Sequence, residues 1–326
     1  MWYMKEITDY GEVFGTLIEK TEEYILGNNL HAMVLGISGG IDSTVVAAIC
    51  HEVSKRTNIP LIGRSLPTKF NKEGEITTAD LVGNAFCNDF EVYSLSDIWE
   101  DVENSFMRYE SKIPTPISSG NIQARLRMIY LYNIASLHGG LVMDTDNLTE
   151  NNLGYFTIHG DVGDFNPIGG LWKTEVFELA KWLSDYYWSK ITFGQSTNFH
   201  TPTKEKLQDN CKNAYKHVAI NESLKLQPTA GLGITSNDLE ELGAESYEQV
   251  DYILQEILAW KYMTLWIGDT PIDQTTPWEQ RNAFLEEQQM LDTPIEVIIA
   301  VTDRHFKSEF KRKQLPIKLE RNGLLV

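Results

Sequence analysis

The sequence predicts an α/β fold built on a doubly wound, mostly parallel sheet flanked by helices. Short apolar runs of strand length alternate along the chain with longer segments of helical spacing, the pattern that crossover connections impose. Glycine-rich turns separate one kind of segment from the other. Polar, carboxylate-bearing stretches follow the apolar runs, on the side where open α/β sheets hold their ligands.

Within residues 4–27, Ile7, Tyr10, Phe14, Leu17, Ile18, Tyr24 and Ile25 fall close to helical spacing and Gly27-Asn28-Asn29 ends the pattern, so a structural amphipathic helix leads the chain. Met33, Val34, Leu35 and Ile37 form the first strand, and the segment from about Asp42 to Arg56 or Thr57 reads as a buried helix. Ile59 to Gly63 is the second strand; it opens into Ser65-Leu66-Pro67, a polar loop at the strand's carboxyl end, where open α/β sheets hold their ligands. Ala79 to Phe86 follows as helix and Glu91 to Leu95 as strand. Pro114 to Gly120 is a loop by its prolines and small residues, leading into a helix from Asn121 to Leu137. Arg125 and Arg127 lie among that helix's apolar residues, either as buried partners for a phosphate or carboxylate or, more commonly, as surface charges. Gly139-Gly140 ends the helix and Leu141-Val142-Met143 begins another strand, which runs into the acidic turn Asp144 to Glu150. Such a turn is usually a set of turn formers and helix caps.

The stretch Gly36-Ile37-Ser38-Gly39-Gly40-Ile41-Asp42-Ser43-Thr44 lies where the first strand ends and the next helix begins. A helix's first turn has N–H groups without partners and a partial positive charge, so it attracts phosphate. Gly39 and Gly40 keep side chains out of the way, and the Ser38 and Ser43 hydroxyls add donors. A carboxylate beside phosphate is repelled unless a cation lies between them, so Asp42 reads as a Mg²⁺ ligand, and Glu150 is the second carboxylate such an ion needs. The loop matches neither GxxxxGK[ST] nor GxGxxG, which argues against a P-loop NTPase and a dinucleotide-binding dehydrogenase. S-G-G-x-D-S instead resembles the pyrophosphate loop of the ATP pyrophosphatase superfamily, enzymes that cleave ATP between its α and β phosphates.

Composition narrows the partners. Among 326 residues, 46 acidic side chains against 28 basic ones give a net charge of −18, which discourages nucleic acid. Cys50, Cys87 and Cys211 are widely spaced and odd in number, fitting a reducing compartment rather than a disulfide framework. No apolar run approaches membrane-spanning length and Met1 to Glu6 lacks signal-peptide character, so a soluble, cytoplasmic protein is expected.

Further motifs carry a closer resemblance. Gly120-Asn121-x-x-Ala124-Arg125-x-Arg127-Met128, Asp144-Thr145-Asp146-Asn147-x-x-Glu150 and Gly154-Tyr155-Phe156-Thr157-x-x-Gly160-Asp161 resemble successive motifs of the NAD synthetase family. Pro167-Ile168-Gly169-Gly170-Leu171-Trp172-Lys173-Thr174 resembles the next. Pro228-Thr229-Ala230-Gly231-Leu232, with Glu240 to Gly243 and Ser246-Tyr247, is similar to a later loop and its exit, and Ser308-Glu309-Phe310-Lys311-Arg312 to the basic tail. The resemblance implies a Rossmann-like, adenine nucleotide alpha-hydrolase-like fold in one domain over residues 1–326. Insertions would fall near 188–221 and 267–291, with a basic tail over 304–316. The departures are Ile158 and His159, where many members carry Lys-Tyr, and Phe310, where the tail often carries His.

The implied reaction is ATP-dependent amidation of the nicotinate carboxylate of deamido-NAD. The carboxylate attacks the α phosphate, pyrophosphate leaves, and ammonia displaces AMP from the mixed anhydride. By resemblance, ATP would be held by Gly36, Ile37, Ser38, Gly39, Gly40, Asp42, Ser43, Leu66, Thr145, Lys173 and Thr229, and Mg²⁺ by Asp42 and Glu150. Deamido-NAD would meet Asn121, Arg125, Phe156, Thr157, His159, Asp161, Asp164 and Lys311. Asp161, Lys173 and Thr229 are the implied catalytic residues: Lys173 at the α phosphate, Thr229 on a closing loop, Asp161 as substrate contact or proton acceptor. No cysteine is flanked by glycines, position 2 is Trp2 and 35 residues precede Gly36, so ammonia or a separate glutaminase chain is the expected nitrogen donor. The family implies a homodimer. A GMP synthetase-like amidase would act on a base, and a tRNA-thiolating enzyme would show a basic face; neither feature is visible. A nucleotide-binding regulator without chemistry would not need Asp42, Glu150 and Lys173 together.

Overall fold

The computed structural model describes residues 7–191, 204–226, 237–288, 293–312 and 317–318. Asp9 starts the first helix, α1 (Tyr10–Gly27), its carboxylate accepting from the N–H groups of Gly11 and Glu12. In β1 (Met33–Gly36), Met33 and Leu35 join the core on one face of the sheet while Val34 joins the core on the other. After the glycine turn comes α2 (Ile41–Thr57), whose buried residues run almost without a break from Ile41 to Cys50, so it is a core helix. β2 (Leu61–Ser65) extends two residues beyond the expected strand, taking Arg64 and Ser65 into the sheet.

α3 (Glu73–Phe86) begins well before Ala79, because Glu75 folds back to accept from the Lys72 N–H at 3.2 Å and closes the first turn. β3 (Asp89–Val92) lies slightly ahead of the expected strand, and α4 (Ser96–Glu110), a helix not among the expected elements, buries only Trp99. α5 (Pro116–His138) starts inside the expected proline loop: Thr115 caps it through the Ser118 N–H, and Pro116 has no N–H to lose there. Then follow β4 (Leu141–Met143), α6 (Leu148–Leu153), β5 (Phe165–Asn166), α7 (Lys173–Ser189), α8 (Lys204–Lys225), α9 (Asp238–Leu242) and α10 (Tyr247–Met263). The expected second insertion forms a small antiparallel hairpin, β6 (Trp266–Ile267) and β7 (Thr270–Pro271), a 3₁₀ turn (Ile272–Gln274) and α11 (Pro277–Glu287). α12 (Ile295–Lys307), α13 (Glu309–Arg312) and β8 (Ile317–Lys318) complete the described chain. Thr197 to Thr203, the polar centre of the other expected insertion, lies outside the described residues.

The main sheet has the order β3-β2-β1-β4-β5-β8 and every pair in it is parallel. The chain runs outward from β1 through β2 to β3, then returns to place β4 on β1's other side. That reversal opens a crevice at the carboxyl ends of β1 and β4. One face of the sheet is covered by α1, α2, α3, α7 and α8, which share a single apolar core. The other is covered by α5, with α4 against it, and by a smaller core around Val34, Ile62, Met128, Leu131 and Val142. A third core joins α6, α10, α11 and α12 beside the crevice. Among the described residues, no helix is long and apolar enough to cross a membrane.

Candidate active site

The crevice is a cavity of about 920 Å³. Its floor is the turn between β1 and α2. No side chain caps α2, and its first-turn residues Ile41, Asp42 and Ser43 line the cavity, so an uncapped helix N-terminus borders the space. The turn is braced from within: the Ser38 and Ser43 hydroxyls lie 3.0 Å apart, the Gly40 N–H donates to Ser38 Oγ at 3.2 Å, and the Ser43 and Thr44 hydroxyls donate to the Gly40 carbonyl. Ile37 N–H donates to the Arg64 carbonyl, joining the turn to β2.

The two glycines have different reasons to be there. Gly39 is buried, with φ +86°, and a Cβ on it would lie 2.5 Å from the Glu75 carbonyl oxygen and 2.9 Å from Ala79 N. It faces the backbone of α3, not the cavity. Gly40 lines the cavity, and a Cβ there would first meet Ser38 Oγ at 3.3 Å.

Above the turn, Asp42 and Glu150 converge on one ammonium. Lys173 Nζ donates to Asp42 Oδ2 at 2.6 Å and to Glu150 Oε1 at 3.0 Å, and Lys173 is 1% exposed. Asn147 completes the arrangement. Its side chain donates to Asp42 Oδ1 at 2.9 Å and accepts from the Glu150 N–H, while Glu150 Oε2 accepts from the Asn147 N–H, a capping box that starts α6. Burial, reinforced by the Asp42 carboxylate, pushes the Glu150 carboxyl up to about 8 despite Lys173. Burial opposes the charge on Lys173, yet Asp42 and Glu150 hold its ammonium well above the usual lysine range. Two hard carboxylates sharing one point suit Mg²⁺, which takes one or two protein carboxylates and completes its shell with phosphate and water. Among the described residues no set of three or more metal-ligating side chains converges.

The remaining walls come from distant segments. From β2, the Leu66 carbonyl accepts from Arg127 Nε at 3.1 Å, and Arg127 also donates to Asn71. Thr145 borders the cavity after β4, next to Asp144, a fully buried carboxylate that binds the Thr145 and Asp146 N–H groups and the Asn166 amide. Thr157 donates its hydroxyl to Asn121 Oδ1 at 2.7 Å and its N–H to Asp161 Oδ1 at 2.6 Å. Lys311 closes one side, donating to the carbonyls of Gly154 and Phe156, with Nζ 5.1 Å from the Phe156 ring centre. Gly154 has φ +68° and a Cβ there would strike Ser308, so only glycine lets the tail approach this closely.

Of the residues singled out from sequence, Gly36, Ile37, Ser38, Gly40, Asp42, Ser43, Leu66, Asn121, Thr145, Glu150, Phe156, Thr157, Asp161, Lys173 and Lys311 all line this cavity. Arg125 is exposed outside it, bonded to the Ile158 and Asn121 carbonyls, and it is Arg127 from the same helix that reaches the space. One helical turn carries both, so two positions of separation suffice to point them apart. His159 sits exposed in a turn at φ +54°. Asp164 accepts from Tyr132 OH and the Val142 N–H, which ties α5 to the sheet. Thr229 lies outside the described residues. Sequence reasoning missed Asp238, Glu241 and Arg304, which also line the cavity. Arg304 bonds the Leu153 carbonyl and Glu241 and stacks over Tyr155 at 4.2 Å. An arginine near the end of an apolar-striped helix carries no signal of its own.

The arrangement can grip an anion at an uncapped helix end, hold a cation between two carboxylates, and present lysine and arginine donors to further negative charge. Comparison with known proteins agrees with that chemistry. The family model described as NAD synthase matches residues 14–315. The chain is 30% identical over 323 residues to the NH(3)-dependent NAD(+) synthetase of Pyrococcus horikoshii, covering 98% of each. It is 33% identical over 235 residues to that of Methanococcoides burtonii, covering 72% of this chain and 74% of the other. Among solved structures, the NMN synthetase of Francisella tularensis superposes with a TM-score of 0.64 at 23% identity, covering 97% of this chain and 100% of that one. The NH3-dependent NAD synthetase of Campylobacter jejuni gives 0.59 at 21% identity, covering 96% and 100%.

Proposed function

The chain belongs to the NAD synthase family and is a ligase that forms NAD with ATP as co-substrate; we propose that it does so by adenylating the nicotinate carboxylate of deamido-NAD and releasing the adenylate to ammonia. The observation that carries this reading is the convergence of Asp42, Glu150 and Lys173 beside the uncapped start of α2.

In this mechanism the α2 N-terminus and the Ser38–Gly40 turn hold the β and γ phosphates through backbone N–H groups. The carboxyl end of β2, at Leu66, receives the adenine. Asp42 and Glu150 would hold Mg²⁺, which would neutralise charge developing on the phosphates. Lys173 stabilises the added negative charge at the α phosphate as the substrate carboxylate attacks and pyrophosphate departs. Arg127 and Lys311 face the part of the cavity left for deamido-NAD, with Asn121, Phe156 and Thr157 along its wall. Asp161, at the cavity edge, accepts a proton as ammonia displaces AMP. Arg125, His159 and Asp164, which do not line the cavity, are read as supports of its wall rather than as contacts to deamido-NAD. Residue Thr229 keeps the phosphate contact that the resemblance implies for it.

The protein is read as a cytoplasmic homodimer. Cys50, Cys87 and Cys211 are all unpaired thiols, which suits a reducing compartment. Exposed Ile98, Val102, Phe106 and Met107 on α4, with Ile129 and Tyr130 on α5, give an apolar surface that a second copy would cover. Incubation with ATP, Mg²⁺, ammonium and deamido-NAD, alongside the corresponding mononucleotide acid, tests the reading. NAD and AMP should form in equal amounts from the dinucleotide, in a particle of twice the chain mass by light scattering. AMP formation only with the mononucleotide, or none at all, overturns the substrate assignment, and a monomer mass overturns the dimer.

A further inference from the structure

Resting on that reading of function, we infer that Asp251 is a positioning residue: from α10 it fixes the first turn of α7 against α6, and so sets Lys173 relative to Glu150. The cap residue of α7, Trp172, makes no side-chain cap bond, so the N–H groups that follow depend on other elements. Lys173 N–H donates to Thr149 Oγ1 at 2.8 Å, and Thr149 donates its own proton to Asp251 Oδ1. Thr174 N–H and Oγ1 donate to Asp251 Oδ2 at 3.0 and 2.8 Å. Thr149 directly precedes Glu150, and Thr174 directly follows Lys173. A single carboxylate therefore grips the neighbours of both partners in the Lys173–Glu150 hydrogen bond.

The placement is costly enough to need a reason. Asp251 is 2% exposed and interrupts an apolar stripe of Tyr247, Val250, Leu254 and Ile257, where an aliphatic side chain would fit the core. No lysine or arginine forms an ion pair with it among the described residues. Among the described residues its hydrogen-bond donors come instead from Thr149 and Thr174. Lys173 reaches its partners at the end of a long side chain, so a small rotation of its helical turn displaces the ammonium. Misplacement by about 1 Å costs roughly 100-fold in rate where geometry carries catalysis.

Asp251→Asn replaces one of the two accepting oxygens with an amide donor, so one oxygen is left for the donors that Thr149 and Thr174 present; Thr149→Val removes the relay at constant shape, and Thr149→Ser keeps the hydroxyl. With ATP, deamido-NAD and ammonium, the first two should each lower kcat by about 30-fold with the ATP KM changed less than about threefold, and the double variant should be no slower than the worse single. Thr149→Ser should stay within about threefold of the unaltered protein. Multiplying effects in the double variant, equal losses for Val and Ser at position 149, or a loss matched by a smaller folded fraction each overturn the inference. Absence of turnover in the unaltered protein would count against the function, not the positioning. In that case a crystal structure of Thr149→Val decides: Lys173 and Glu150 should separate beyond 3.0 Å, and an unchanged pair overturns the inference.

Discussion

Two walls of the same cavity are built in opposite ways. The phosphate wall is one continuous stretch, Gly36 to Thr44, whose hydroxyls and carbonyls satisfy one another locally. The facing wall is assembled from Asn147 and Glu150 on one side of a strand crossover, Lys173 at the start of α7, and Arg304 and Lys311 near the end of the described chain. The local wall is held by chain geometry and tolerates little change in backbone. The assembled wall is held by charge and hydrogen bonds between elements, so its faults should surface in chemistry before they surface in folding.

Asp42 belongs to both walls, and its replacement should have the largest effect. Asp42→Asn should lower AMP formation on the order of 1,000-fold, because it weakens both the Lys173 contact and the proposed metal site. A rate near that of the unaltered protein would mean the two walls do not meet at this residue.

The glycines sharpen the contrast within the local wall. Gly39→Ala forces a Cβ to 2.5 Å from the Glu75 carbonyl oxygen at positive φ, and should cost about 3 kcal/mol in urea unfolding. Gly40→Ala should cost about 1 kcal/mol while weakening ATP binding, which calorimetry would read directly. Equal stability losses at the two positions would erase the distinction between a packing glycine and a ligand-facing one.

The smallest effect tests the assembled wall by pH, with no nucleotide present. Glu150, faced by Asp42, Lys173 and Asp238, keeps its proton in the fold up to about 8, whereas an unfolded carboxyl releases it near 4.5. Between those values the native state binds the extra proton, so this group's contribution to stability falls as pH rises through the window. Asp144, Asp161 and Asp251 are also raised, to about 6, and Lys216 is lowered to about 8, but both proteins share these groups, so the difference between the two curves reports Glu150. The melting temperature of Glu150→Gln should therefore gain on that of the unaltered protein between pH 6.5 and 8. Parallel curves would remove the assignment.

The difference between the walls also governs what could be read from sequence. The phosphate turn was legible because strand, turn and helix are contiguous, and β4 was legible from its glycine stop and apolar run. α4 was not, although Ile98, Val102 and Phe106 recur at helical spacing, because its many acidic and polar residues mask that stripe and it buries little beyond Trp99. The start of α5 was hidden by Pro116, which argues for a loop unless it falls at a helix's first position. Lys173 gained its role only through family resemblance: nothing near it in sequence names Asp42 as a partner. Asn147 had a readable sign in its spacing to Glu150, the capping-box pattern. Asp251 had one too, as a lone acid at core spacing in α10.

The closure by Lys311 over the Gly154 and Phe156 carbonyls joins positions 157 and 155 residues apart in the chain. A long loop must be closed before this side of the cavity exists, whereas the turn from Gly36 to Thr44 is complete in itself. Local opening of the tail would therefore unmake the chamber while the rest of the fold stays intact.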